Sequence, residues 1–144
     1  MNTKIIIWIV AIVVLAPLLV RLWPKPLTYE RIQAGLKAQG LTLENVHESS
    51  PSLEAVAQLS MTIDGATVEI YQYDDEGKVA TQLTYQQPDP GQAIVEASGL
   101  REALGAAPVS PIKTDATRRG MFMLTVSSDN AEVRVRVIKA FKSF

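Results

Sequence analysis

Catalysis needs an activated nucleophile, a positioned base or a set of metal ligands, and this chain offers few places to look for them. Its only histidine, His47, stands beside Glu48, Ser49 and Ser50 in the stretch LENVHESSPS. A Ser-His-Glu set can be written from these neighbours. Adjacent residues point in different directions, however, and catalytic triads are assembled from separate elements. A small hydrolase around His47 would need that ring in a pocket with a nucleophile within hydrogen-bond reach. The reading preferred here is a surface histidine in a non-catalytic protein. The chain has no cysteine, which removes thiol chemistry, and a lone histidine leaves no zinc spacing. Asp74, Asp75 and Glu76 cluster, but D-x-[DN]-x-[DN]-G is absent, and acids just ahead of a helix favour its N-terminus. There is no G-x-G-x-x-G and no phosphate loop. Catalytic, metal-binding and cofactor-binding residues are therefore not assigned.

Two other sets suit binding. Thr67, Glu69, Tyr71 and Tyr73 alternate along one strand, so they share a face. Paired tyrosines suit interfaces, which makes this face a candidate contact surface for a partner. Arg118 and Arg119 form a basic pair suited to a phosphate, a lipid headgroup or the acidic part of the same fold. Arg134, Arg136, Lys139 and Lys142 step around the final helix at ~100° per residue, the pattern of a solvated face.

The elements that hold these residues follow from local patterns. Leu59, Met61 and Ile63 alternate with Ser60, Thr62 and Asp64, and Asp64-Gly65 is a type I′ turn pair. A two-residue turn there pairs Ile63 with Ala66, Met61 with Val68 and Leu59 with Ile70. All six then share one face, as a hairpin requires. Upstream, Thr28 caps a helix over about 28–39. Leu27 and Ile32 form its staple, Ile32, Leu36, Ala34 and Ala38 its apolar face, and Gly40 its stop. Leu41, Leu43 and Val46 read as a short strand or extended segment. Ser50-Pro51 reads as the start of a helical turn through Ala57.

Downstream of the hairpin, Asp74 or Asp75 caps a helix to about Thr84, with Val79, Ala80 and Leu83 inward. A second helical stretch covers about 91–105, and Ala106 to Thr117 reads as loop. Gly120 opens a strand whose nearly continuous apolar run, Met121 to Val126, fits a central position. Residues 129–142 alternate like a strand at Val133, Val135 and Val137. Yet Asp129 with Glu132 resembles a capping box, and Val133, Val137, Ile138 and Phe141 recur at helical spacing, so a helix is expected.

Ile5 to Val20 is an unbroken apolar run, IIIWIVAIVVLAPLLV. Sixteen helical residues reach roughly 24 Å, and extension to Trp23 gives roughly 28 Å, close to a hydrocarbon core about 30 Å thick. Arg21 can snorkel and Trp23 suits the interface. No small-x-small cleavage site follows, so the run reads as an uncleaved anchor rather than a removed signal. Lys4 and the α-amino group precede the run and Arg21, Lys25 and Arg31 follow it, so the positive-inside rule does not decide the orientation. The short basic leader ahead of an apolar core resembles an export signal, and the reading preferred places the C-terminal domain outside the cytoplasm.

The expected organisation is a transmembrane anchor over 1–23, a linker over 24–27 and one domain over 28–144. Its class is α+β: an N-terminal transmembrane helix, then a small, mostly antiparallel sheet (hairpin 58–73 plus strand 120–127) packed by helices. Residues 27–112 hold four Lys/Arg against twelve Asp/Glu, and residues 113–144 hold seven against three. The first expectation is that these parts attract each other within the fold. The alternative is that the basic part faces anionic lipid or an acidic partner. No aromatic-interleaved basic patch supports nucleic acid.

The pattern Gly40-Leu41, then Val68-Glu69-Ile70-Tyr71-Gln72-Tyr73-Asp74, then Arg119-Gly120-Met121 through Ser128-Asp129, resembles a loose class of small bacterial membrane-tethered or lipoprotein-like α+β domains. The chain departs from that class in lacking a lipobox cysteine. The resemblance implies the fold and the tether; it carries over neither an activity nor site residues. The function expected is a single-pass membrane-anchored protein whose soluble domain binds a partner near the bilayer. Use of the basic C-terminal part on anionic headgroups is the alternative.

Overall fold

A computed structural model describes residues 25–86, 105 and 112–144. The apolar run expected to anchor the chain and the helix expected over 91–105 lie outside these residues, apart from Gly105. Among the described residues no helix is long and apolar enough to cross a membrane.

The described elements run α1 (Tyr29–Ala38), β1 (Leu43–Ser49), β2 (Ala57–Ile63), β3 (Ala66–Gln72), α2 (Glu76–Gln86), β4 (Lys113–Arg119), β5 (Phe122–Ser128) and α3 (Ala131–Ser143). They form an α+β structure, a five-stranded sheet with three helices. The strand order is β1-β2-β3-β5-β4, and every neighbouring pair is antiparallel.

The β2–β3 hairpin has the expected register: Ile63 faces Ala66, Met61 faces Val68 and Leu59 faces Ile70. Asp64 and Gly65 both take positive φ, 49° and 78°, as a type I′ turn demands. The six apolar residues of this face are all buried, and Phe122, Leu124 and Val126 of β5 extend them sideways. Ile32 and Leu36 of α1 close over this surface with Val137, Ala140 and Phe141 of α3. Fully burying side chains of this size is worth about 1.5–3 kcal/mol each, and this cluster is the main core.

The helix termini follow sequence chemistry. The Thr28 hydroxyl accepts from the Arg31 N–H at 3.3 Å, and Leu27 packs on the core. At the other end Gly40 has φ 80°, and the Leu41 N–H reaches back to the Leu36 carbonyl at 3.2 Å. The residue preceding α2, Asp75, accepts from the Lys78 N–H at 3.1 Å. For α3 the cap is Asn130 rather than Asp129: its side chain accepts from the Glu132 and Val133 N–H groups at 2.9 and 3.4 Å.

Five expectations need correction. Ala34 and Ala38 are exposed; the small inward residue of α1 is Gly35, where an added Cβ would lie 2.3 Å from the Phe144 ring. Residues 50–57 make no helical turn. Leu53 and Glu54 take φ 53° and 62°, and the Ser52 N–H and hydroxyl are drawn to Gln58 instead. The stretch read as loop to Thr117 contains the edge strand β4, whose sequence KTDATRR carries no apolar alternation. Gly120 and Met121 are a two-residue turn between β4 and β5, with Arg119 opposite Phe122 and Gly120 at φ 57°, so the last strand begins one turn later than expected. Arg134 leaves the solvated arc and is buried: it donates to Asp115 Oδ2 at 2.8 Å and to the Ser128 carbonyl at 2.7 Å.

Candidate functional site

The second face of the sheet carries the residues expected to contact a partner. Alternation puts Gln58, Tyr71, Met123 and Arg118 in one cross-strand row. Ser60, Glu69, Thr125 and Ala116 form the next, and Thr62, Thr67, Ser127 and Thr114 the one after. The last row holds four hydroxyls from four strands, and Thr114 and Ser127 meet at 2.7 Å. It is invisible until β4 is recognised as a strand.

This face is not the open tyrosine surface expected from the sequence. Tyr71 and Tyr73 are 4 % and 2 % exposed, and they cluster with Met123 and with Val79 of α2. Leu53, Ala55 and Leu83 flank them. The two rings are core, and a contact role for them is withdrawn. Thr67 stays exposed, and Glu69 is half-buried and already engaged.

That engagement is a connected polar network. The Tyr71 hydroxyl donates to Glu69 Oε2 at 2.5 Å, Gln58 Nε2 donates to Glu69 Oε1 at 3.1 Å, and Gln58 Oε1 accepts from Ser52. Burial pushes the Tyr71 phenol well above its usual range, and the Glu69 carboxylate adds to that. Thr125 and Ser52 pull the other way. Among the described residues the Tyr73 hydroxyl has no hydrogen-bond partner; burial and the charge of Glu54 raise its pKa. On the opposite side of the sheet Tyr29 is pushed up to about 12, again chiefly by burial, with the Gln72 N–H opposing and Glu48 assisting. All three are protonated near neutrality.

His47 lies on the edge strand β1 and is exposed. Its Nδ1 contacts the Asn45 carbonyl at 2.7 Å, across the bulge where Asn45 takes φ 51°. Ser49, two residues on, meets Ser60 at 3.0 Å. Among the described residues nothing encloses His47 as a hydrolase would need. Among the described residues no cluster of three or more His, Asp or Glu could hold a metal ion.

Arg118 and Arg119 are separated by their own strand. Arg118 is exposed on the α2 side. Arg119 points to the other face, where its guanidinium donates to the Phe141 carbonyl at 3.3 Å and lies 4.8 Å from the Phe144 ring centroid. It answers a last-turn carbonyl of α3 and the negative end of that helix, a structural role. No phosphate clamp is built from the pair.

The basic surface that does form is the outer ridge of α3. Val135, Lys139 and Lys142 recur at i, i+4 and i+7, so they share one face. Val135 is 62 % exposed and both lysines are exposed. Ile138 lies beside them, and Val135, Ile138, Lys139 and Lys142 line one open depression along the helix. Arg136 is turned aside into an ion pair with Asp64. That pair joins the basic C-terminal part to the acidic part as expected, whereas Lys78–Asp74 and Arg134–Asp115 stay within their own parts.

The chain matches no family model, no curated protein and no solved structure.

Proposed function

We propose that this is a single-pass membrane protein, anchored by residues 5–23 in the cell membrane, whose α+β domain binds a partner at the bilayer surface outside the cytoplasm and performs no catalysis. The junction between the two parts carries this reading. Leu27 is packed on the core, Thr28 caps α1, and the Arg31 guanidinium donates to the Lys25 carbonyl. Only Pro24, Lys25 and Pro26 separate Leu27 from Trp23 at the end of the apolar run. Four steps of stiff chain at ~3.1 Å each reach about 12 Å. The domain therefore has little freedom to leave the surface, and its partner must be there too.

Alkaline washing of membranes from cells making the full chain tests the anchor. Full-length protein should remain in the membrane fraction. A soluble form shortened at its N-terminus would overturn the proposal. Protease added outside intact cells stripped of their outer barrier should degrade the domain; complete protection would overturn the orientation.

A second reading, contact with anionic headgroups through the basic C-terminal part, is favoured by the α3 ridge. Its residues are then Val135, Lys139 and Lys142 instead of Arg118 and Arg119.

A further inference from the structure

We propose that the outer ridge of α3, Val135, Lys139 and Lys142 with Ile138 beside it, rests on an anionic bilayer. This inference deepens the second reading above and rests on the anchor.

Three observations converge on it. The first is the chemistry of the ridge: an exposed valine, Val135, and a half-buried isoleucine, Ile138, flanked by two exposed lysines. An interfacial helix presents this combination, with aliphatic groups entering the headgroup boundary and lysines beside anionic phosphates. Arg134 and Arg136 do not compete for the same role, because both are spent on carboxylates within the fold.

The second is where the charge lies. The opposite side of the sheet, ahead of and on α2, exposes Asp74, Asp75 and Glu76, offset by Lys78 and by Arg118 of β4. Of the carboxylates on the helix-layer side, Asp64 and Asp115 are paired with arginines of α3. Glu30 and Glu132 sit in first turns of their helices, where they answer the positive helix ends, and Glu48 stands on the edge strand β1 beside Tyr29, away from the ridge. Lys37 adds a further exposed cation to that side. An anionic surface thus attracts one side of the domain and repels the other, which sets orientation as well as affinity.

The third is proximity. The Tyr29 ring, four residues after Lys25, meets Phe122 edge-on at 5.4 Å. Phe122 pairs with Arg119, and Arg119 covers Phe144. That chain of contacts puts the start of α1 and the end of α3, with Lys142, at one end of the domain. Lys25, the first described residue, precedes α1 at this end, so an anchor joined to it through Pro24 would bring the ridge to the surface without a long linker.

The cysteine-free chain permits a direct test. Full-length Val135→Cys and, on the exposed side of α2, Thr81→Cys are each labelled with a polarity-sensitive fluorophore. Each is reconstituted into vesicles of phosphatidylcholine alone or mixed with phosphatidylglycerol, with a quencher at headgroup depth. The label at 135 should be quenched several-fold more than the label at 81, and only when anionic lipid is present. One lysine near such a surface is worth about fivefold in occupancy, so Lys139→Glu with Lys142→Glu should abolish the difference. So should about 1 M salt, where the screening length is about 3 Å.

Equal quenching at 135 and 81 in anionic vesicles would overturn the proposal while leaving the anchor intact. Disulfide-linked dimers through residue 135 would overturn it in favour of a second copy of the chain. Loss of the protein from vesicles on alkaline washing would remove the anchor and this inference together.

Discussion

The two faces of the sheet are built on different principles. Toward α1 and α3 the face is a continuous apolar surface in which Ile63, Ala66, Val68, Ile70, Leu124 and Val126 are all fully buried. Toward α2 the same strands present Gln58, Glu69, Tyr71, Thr125 and a row of hydroxyls. Among the described residues the buried apolar side chains there are confined to the end where Tyr71, Tyr73 and Met123 meet Val79, and Gln58 and Thr125 are buried beside them as polar groups. The first face holds by volume and tolerates little loss of it. The second holds partly by hydrogen bonds, whose net worth is about 1 kcal/mol each and whose loss leaves polar groups stranded. Polar sequence on a strand therefore does not mean an exposed strand: a network that satisfies itself can be roofed by a helix.

That contrast can be tested by truncation on either side. Phe141→Ala, on the apolar face, should cost about 3–5 kcal/mol in urea unfolding, because a fully buried ring is replaced by a cavity. Met123→Ala, fully buried on the polar face, should cost about 2–3 kcal/mol, toward the lower end for such a change, since the smaller roof can settle. Equal losses would mean that the two faces are packed alike.

Smaller changes separate the two tyrosines. Tyr71→Phe removes the hydrogen bond to Glu69 and should destabilise by about 1–2 kcal/mol. Tyr73→Phe removes a buried hydroxyl that has no partner among the described residues, so the midpoint should stay unchanged or rise. A loss at Tyr73 as large as at Tyr71 would show that its hydroxyl is satisfied in solution.

Raising the pH tests the same groups together. Tyr29, Tyr71 and Tyr73 all have raised pKa values in the folded protein. Below pH ~10, the value of an unfolded tyrosine, the folded and unfolded chains carry the same protons on them and stability is unaffected. Above it the unfolded chain ionises first, so stability should fall from about pH 10 through Tyr29's value of about 12. Tyr29→Phe should flatten the start of that fall, measured as urea midpoints against pH. A flat profile would contradict the burial of these phenols.

Much of this was legible in local chemistry. Thr28, Leu27 and Gly40 bracket α1; Asp64-Gly65 dictates the hairpin and, through it, the face of every residue from Leu59 to Ile70. The helical reading of residues 129–142 succeeds because Val137, Ala140 and Phe141 are buried together on one side, which helical spacing gives and the alternation of a strand would split. The edge strand β4 was hidden because, among the described residues, only one of its backbone edges pairs, against β5, and it buries little side-chain surface, so KTDATRR lacks the apolar period that marks an inner strand. The α3 ridge was hidden for a related reason. Four basic residues look alike in sequence, and only Asp115 and Asp64 sort Arg134 and Arg136 from Lys139 and Lys142.

By itself the sequence determined the periodic things: the hairpin register, the helix ends, the apolar run of residues 5–20 and the poverty of catalytic side chains. These depend on neighbours within a few residues, where backbone geometry leaves few choices. Only the tertiary structure decided that Tyr71 and Tyr73 are roofed by α2, that Arg118 and Arg119 part company across β4, and that Lys139 and Lys142 are left facing outward. Each of those outcomes depends on a partner far along the chain, and burial and charge pairing are properties of the assembled surface, which no local pattern encodes.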